Sequence, residues 1–182
     1  MAYNLERLQV LLVEDNLNMR ALLRSILNAF GISGIRDVQN GEQAINELAH
    51  YTPDIVITDW VMEPVDGIAL SRFIRADDHS PDIFLPIIMV TGHTQEWRVL
   101  QARDAGVTEF LAKPITAGGL YQRILAVVEK PRPFVHTTDF FGPCRRRQNW
   151  AEYVGPDRRS AGVGRNQKVM QDMDLEDLLQ SL

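Results

Sequence analysis

The chain has 182 residues, a hydrophobic fraction of 45% and a formal net charge of -5, which is enough apolar content for a real core, excludes wholesale disorder, and leaves a surplus over one ordinary domain. Its single cysteine, Cys144, excludes an intramolecular disulfide and a cysteine-based metal site and points to a reducing, cytoplasmic setting. No apolar run approaches the ~20 residues of a membrane span and the amino terminus lacks the basic-then-apolar order of a signal peptide, so no membrane insertion is expected.

Along the first 129 residues strand and helix signals alternate. Leu8 to Val13 is an apolar run that ends at Glu14-Asp15. Asn16 then caps a helical pattern with Leu17, Leu22, Leu23, Ile26, Leu27 and Phe30 assigned to one face and Gly31 as the stop. Ile35 to Val38 reads as a short strand, and Asn40-Gly41 opens a second helix that runs to about His50. After Pro53 comes a buried strand, Asp54 to Asp59, then a helix from Gly67 to Ala76. Leu85 to Val90 is a fourth strand, followed by Thr91; Glu96 to Ala105 is a helix stopped by Gly106. Thr108 to Ala112 is the fifth strand, ending at Lys113-Pro114, and Thr116 to Val128 is the fifth helix.

Five short apolar strands alternating with five helices predict an α/β fold, a doubly wound five-stranded parallel sheet covered on both faces. In such sheets ligands bind beyond the carboxyl ends of the strands, where this sequence places Glu14, Asp15, Asp59, Thr91 and Lys113. Three converging carboxylates repel one another unless a cation lies between them, and all-oxygen ligation suits Mg²⁺. The same cluster equips a nucleophilic carboxylate to receive a phosphoryl group. Lys113, the only lysine among the first 129 residues, would neutralise phosphate oxygens from the other side, and the Thr91 hydroxyl would bond to one. Acids and threonine are also ordinary turn residues at strand ends, but five in this order at the ends of four of the five strands weigh against coincidence. His50, His79, His93 and His136 show no metal-ligand spacing, Trp97 reads as a surface residue, and no Gly-rich phosphate loop appears.

The segments LLVEDN, DIVITDWVMEPVDG, PIIMVTG and FLAKP resemble the receiver domain of CheY-like two-component response regulators over about residues 7–129. The resemblance implies Asp59 as phospho-acceptor in a phosphoprotein switch. It implies Glu14, Asp15, Asp59 and the backbone carbonyl of Val61 as Mg²⁺ ligands, and Thr91 and Lys113 as switch hydroxyl and phosphate contact. Phe110 takes the switch aromatic position, where it lacks the hydroxyl that chemotaxis-type members often carry. Trp60, directly after the acceptor, is expected to restrict access to the pocket. A histidine kinase is the implied partner, and no enzymatic output is expected beyond the receiver's own phosphorylation.

A boundary falls at Lys130-Pro131-Arg132-Pro133, where two prolines favour an extended link. The remainder shows no strand periodicity and is expected to be mostly irregular. DFFGPCRRRQ at 139–148 and EYVGPDRRSA at 152–161 align at a period of 13. Each Gly-Pro is expected to form a turn that presents an Arg pair. Of the chain's 19 basic residues 16 are Arg, a bias towards planar, bidentate recognition. Arg forks match the O6/N7 edge of guanine and pair with phosphates, an acid accepts from the guanine amino and imino edge, and Trp and guanidinium planes stack on purines. A duplicated motif suits a ligand with two equivalent halves, such as cyclic di-GMP. The rival reading is a basic tail attracted to any polyanion or to the receiver's own acidic face.

A receiver followed by an Arg-rich tail also resembles the Cle group of CheY-like proteins, which bind cyclic di-GMP through the tail and act at the flagellar motor. By position this implies Arg145, Arg146, Arg158 and Arg159 as nucleotide contacts, Asp157 as a guanine-edge acceptor, and Arg147 and Trp150 as secondary contacts. DMDLEDLLQSL, with Leu175, Leu178, Leu179, Leu182 and the nearby Met170 and Met173, reads as an amphipathic acidic helix. The expected organisation is a receiver at 1–129, a Pro-linked Arg-rich tail at 130–168 with two GP-x-RR repeats, and a short helix at 169–182. The expected function is a single-domain regulator of the flagellar motor or of surface behaviour in chemotaxis and motility. The alternative is a stand-alone, phosphorylation-controlled adaptor whose tail binds a protein. Specific DNA binding is not expected, because the 53 residues after 129 contain no helix-turn-helix pattern.

Overall fold

In chain order the computed structural model contains β1 (Gln9–Val13), α1 (Leu17–Ala29), β2 (Gly34–Val38), α2 (Gly41–Leu48), β3 (Ile55–Asp59), α3 (Gly67–Ala76), β4 (Ile87–Thr91), α4 (Glu96–Asp104), β5 (Glu109–Ala112), α5 (Ala117–Glu129), β6 (Phe134–Thr137), β7 (Phe140–Pro143) and β8 (Lys168–Met170). It describes residues 5–76, 78–92, 95–137, 140–144 and 168–170. The first five strands form one sheet in the order β2-β1-β3-β4-β5, every pairing parallel. The predicted doubly wound α/β sheet is the observed one. Among the described residues no helix is long and apolar enough to cross a membrane.

Alternation along the strands divides the core between the two faces, because successive side chains point to opposite sides of a sheet. Leu11, Val13, Val56, Ile87 and Met89 join Ala44 and Leu48 of α2, Ile68, Leu70 and Ile74 of α3, and Ala102 of α4. Val10, Leu12, Ile55, Ile57, Ile88 and Val90 join Leu23 and Leu27 of α1 and Leu120, Ile124 and Val127 of α5. β3 and β4 are buried at every residue, as strands covered on both faces should be.

Local signals fix the helix ends. Asn16 Oδ1 accepts from the N–H groups of Asn18 and Met19 at 3.0 and 3.1 Å, satisfying donors that the first turn leaves open. Thr116 Oγ1 does the same for the Gly119 N–H at 3.1 Å. Gly31 and Gly106 follow α1 and α4 at φ +86°, a conformation that glycine adopts without the Cβ clash. One expectation for α1 is corrected. Leu17 and Leu22 are 68% and 46% exposed, whereas Leu23 and Leu27 are fully buried, because the inward stripe runs through Arg20, Leu23 and Leu27 and the other two lie off it.

The largest departure lies beyond α5. β6 pairs antiparallel with both β7 and β8, in a second sheet ordered β7-β6-β8, so strands occur where the sequence shows no strand periodicity. The first Gly-Pro makes no turn: Gly142 pairs with Val135 and Pro143 with Phe134. Pro143 fits there because β7 is an edge strand, where a missing N–H leaves no ladder bond unmade. Met170 lies in β8, not in a helix, and residues 171–182 fall outside the described residues.

The hairpin of β6 and β7 rests against the amino-terminal end of the large sheet. Phe84, just before β4, meets Phe134 and Phe141 edge-on, with ring centroids at 5.0 and 5.5 Å. The Arg75 guanidinium lies over the Phe134 ring at 5.1 Å and donates to the carbonyls of Gly106 and Ile83 at 3.0 and 2.8 Å. Burial pulls the Arg75 pKa down to about 9, against the charge of Asp82.

Candidate functional site

The parallel strands bring their carboxyl ends to one edge. β1 delivers Glu14 and Asp15, β3 ends on Asp59, β4 ends on Thr91, and Lys113 follows β5. One carboxylate oxygen from each of Glu14, Asp15 and Asp59 lies within 4.8 Å of the other two. Among the described residues this is the one such grouping of three potential metal ligands. Lys113 Nζ stands 2.9 Å from Asp59 Oδ1 and 3.5 Å from Glu14 Oε2. Glu14 and Asp59 are buried and Asp15 is exposed, so the pocket opens to solvent on the Asp15 side.

Each member is held by local bonding. The Glu14 N–H donates to the Val38 carbonyl at 3.2 Å, and Glu14 Oε1 accepts from the Asn16 N–H at 3.2 Å. Arg20 Nη1 donates to the Glu14 carbonyl at 2.6 Å, while its Nε lies 3.4 Å from Asp37 Oδ2. The Lys113 N–H donates to the Thr91 carbonyl at 2.8 Å, which sets the lysine beside the end of β4. Gly67 fits against the end of β3 because it lacks a side chain: a Cβ there would lie 2.2 Å from the Asp59 carbonyl oxygen.

The electrostatics follow from burial and crowding. Glu14 is 1% exposed; desolvation and then the Asp59 charge push its pKa up, and Lys113 and the Asn16 N–H only partly offset them. Burial works against the Lys113 charge, but hydrogen bonds and attraction from Asp59 and Glu14 outweigh it, so the lysine pKa is raised. Three carboxylates and one ammonium leave an excess negative charge. Hard oxygen donors with that excess fit a divalent cation such as Mg²⁺.

Thr91 is buried at the strand end and Phe110 is half-buried in β5, packed on the core cluster that holds Trp60, Met89 and Val107. Val61 is exposed in the loop after β3. Trp60 does not screen the pocket as expected from its size: it is only 5% exposed and belongs to that core cluster, with the Arg98 guanidinium 5.7 Å from its ring centre. A cleft lined by Asn16, Asn18, Met19, Leu22 and Lys113 flanks the site. Arg145, Arg146, Arg147, Trp150, Asp157, Arg158 and Arg159 lie outside the described residues. Sequence reasoning missed Arg20 and Gly67 as supports of the pocket. Gly67 was legible only as a helix start, and a buried arginine on an apolar helix face carries no local signal of its partner.

Over residues 10–125 the chain matches the family described as response regulator receiver domain. It is 30% identical over 125 residues to "Chemotaxis protein CheY-3" of Vibrio cholerae, covering 69% of this chain and 95% of that protein. It is 31% identical over 123 residues to "Chemotaxis protein CheY" of Pseudomonas aeruginosa, covering 68% and 98%. Among solved structures, it is similar to the receiver domain of a Pseudomonas aeruginosa sensor histidine kinase with a magnesium ion coordinated in the active site cleft. That match has a TM-score of 0.58 and 29% identity, covering 65% of this chain and 94% of the other.

Proposed function

The chain belongs to the response regulator receiver domain family, and from that membership we propose that Asp59 takes the phosphoryl group of a histidine kinase and thereby switches a signalling output. The observation that carries this is the Asp59 carboxylate at 2.9 Å from Lys113 Nζ with oxygens of Glu14 and Asp15 within 4.8 Å. An Asp59 oxygen attacks phosphorus, and the bond from phosphorus to the donor nitrogen breaks as the new bond forms. Lys113 neutralises charge on the phosphoryl oxygens, and the Thr91 hydroxyl hydrogen-bonds one of them. Held by Glu14, Asp15, Asp59 and the Val61 carbonyl, Mg²⁺ would supply charge neutralisation for the same oxygens. Phe110, half-buried beside the core, is the group that repacks when Thr91 moves. Incubation with acetyl phosphate and Mg²⁺ is expected to add one phosphoryl mass to the wild type and none to Asp59→Asn; an unlabelled wild type, or a labelled variant, overturns the assignment.

The receiver unit in this reading is 1–129, with an effector extension at 130–168 and a terminal segment at 169–182. The extension binds cyclic di-GMP through Arg145, Arg146, Arg158 and Arg159, with Asp157 on a guanine edge and Arg147 and Trp150 in support, as in the Cle group. The protein then acts on the flagellar motor or on surface behaviour. The 13-residue repeat of Gly-Pro-x-Arg-Arg supports the ligand, and relatives named as chemotaxis proteins support the motility branch. Titration calorimetry with cyclic di-GMP is expected to show binding that Arg158→Ala with Arg159→Ala weakens by at least about tenfold, since lost charged hydrogen bonds cost ~1.5–3 kcal/mol each. Absence of binding by the wild type sinks the ligand. Beryllofluoride-dependent partner binding without a nucleotide effect would then support the protein-binding adaptor.

A further inference from the structure

We propose that Arg20 and Asp37 are positioning residues for the cation of the acid pocket: their ion pair fixes the peptide between Glu14 and Asp15, and through it the aim of the Asp15 carboxylate. This rests on the receiver reading of that pocket and deepens it, because neither residue is among the expected ligands. The effect runs in the direction opposite to the one that the arginine charge by itself would produce.

The two acids that follow β1 are held very differently. Glu14 is bonded at each of its polar groups. Its N–H donates to the Val38 carbonyl, its carbonyl accepts from Arg20, Oε1 accepts from the Asn16 N–H, and Oε2 faces Lys113. Asp15 is exposed, and among the described residues no hydrogen bond or ion pair holds its carboxylate. One of its oxygens nevertheless lies within 4.8 Å of an oxygen from Glu14 and one from Asp59. Its aim therefore comes from the backbone. The peptide plane that carries the Asp15 nitrogen also carries the Glu14 carbonyl. That carbonyl accepts from Arg20 Nη1 at 2.6 Å, and a hydrogen bond from an ionised donor is one of the strong kinds.

Arg20 is placed to hold that plane still. It lies on the inward stripe of α1 and is buried, so neighbouring groups, not water, surround the guanidinium. Its Nε lies 3.4 Å from Asp37 Oδ2, and Arg24 takes the other oxygen of the same carboxylate. Asp37 stands on β2 opposite Leu12, one residue before Val38, whose carbonyl takes the Glu14 N–H. One guanidinium thus ties the end of β1, α1 and β2 together behind the pocket. A planar fork donates to a carbonyl and a carboxylate at once, whereas an ammonium is a point donor. Groups that orient metal ligands from behind typically change metal affinity by about 10–100-fold when they are lost. The Arg20 charge works the other way, since a guanidinium beside carboxylates repels the cation they gather. Loss of Arg20 therefore weakens the cation if position governs and tightens it if charge governs.

Titration calorimetry of the full-length chain with Mg²⁺ separates the two, with thermal melts without Mg²⁺ to show that each variant is folded. Arg20→Ala is expected to weaken Mg²⁺ binding at least about tenfold, although it removes a positive charge. Arg20→Ala combined with Asp37→Asn, which leaves the net charge as it was, is expected to weaken it as much. Arg20→Lys, which keeps the charge and one donor, should fall between the wild type and Arg20→Ala. Arg24→Ala removes a charge of the same sign from an exposed pair that does not touch Glu14, and should stay within about twofold of the wild type. Wild-type or tighter binding by Arg20→Ala and by the double variant overturns the positioning role and leaves the pocket reading intact. Should Arg20→Ala not fold, wild-type binding by Arg20→Lys overturns it equally, and so does a loss in Arg24→Ala as large as that in Arg20→Ala. Absence of Mg²⁺ binding by the wild type overturns the pocket reading and the positioning role together.

Discussion

Glu14 shows how a residue proposed to bind a cation works against the fold that holds it. Its raised pKa means that the folded state holds the proton more tightly than the unfolded chain does. The stability it contributes is therefore present below the ordinary carboxyl pKa and lost as pH rises through the raised one. At neutral pH the ionised group is a cost that a cation would relieve. Glu14→Gln should raise the melting temperature at pH 7 without Mg²⁺, and should weaken Mg²⁺ binding at least about tenfold, because a ligand and its charge are gone. Melts and Mg²⁺ titrations of the two proteins check both halves. Gly67 makes the opposite case, a residue with no chemistry whose smallness lets α3 start against the end of β3 at Asp59. With the Asp59 carbonyl oxygen 2.2 Å from where a Cβ would sit, Gly67→Ala must displace either α3 or the end of β3. A loss of ~1–3 kcal/mol is expected, with acetyl phosphate labelling slowed, measurable by denaturant melts and a labelling time course.

At the scale of elements, periodicity named the helices but did not say how wide their buried stripes are. α1 has apolar residues on more than one side, and only docking on the sheet selects Leu23 and Leu27. Leu23→Ala should cost about 2–5 kcal/mol by leaving a cavity, while Leu17→Ala should stay within about 0.5 kcal/mol; urea unfolding of the two variants decides it. The extension misled for a related reason. Phe134–Thr137 and Phe140–Pro143 are four residues each, too short for alternation to register, and the Gly-Pro that signals a turn in isolation is accommodated on a sheet edge. The expected Trp60 screen failed likewise, since residue size does not reveal which way a ring points.

At the scale of the whole molecule the chain joins an acidic switch to a basic extension. Residues 1–129 hold ten basic and 17 acidic residues, while 130–182 hold nine and seven. The join is a packed contact, so removing it should be felt. A chain ending at Glu129 uncovers Phe84 and Arg75 and deprives Glu109 of Arg132. It is expected to lose ~1–3 kcal/mol, a fall of roughly 5–10 °C in Tm, while still accepting phosphate. A chain ending at Cys144 should recover most of the loss. Equal melting temperatures for all three lengths would show that the hairpin adds nothing to the receiver.

The sequence by itself determined the order of strands and helices, the parallel sheet, and the identity of the residues at its carboxyl edge. These depend on local patterns: apolar runs, caps, glycine stops, and polar residues at strand ends. Only the tertiary structure decided that Arg20 and Gly67 support the pocket, that Trp60 turns into the core, and that Phe134 and Phe141 lie against Phe84 at the far end of the sheet. Those are contacts between segments distant along the chain. Their geometry comes from how packed surfaces meet, and no window of sequence contains both partners.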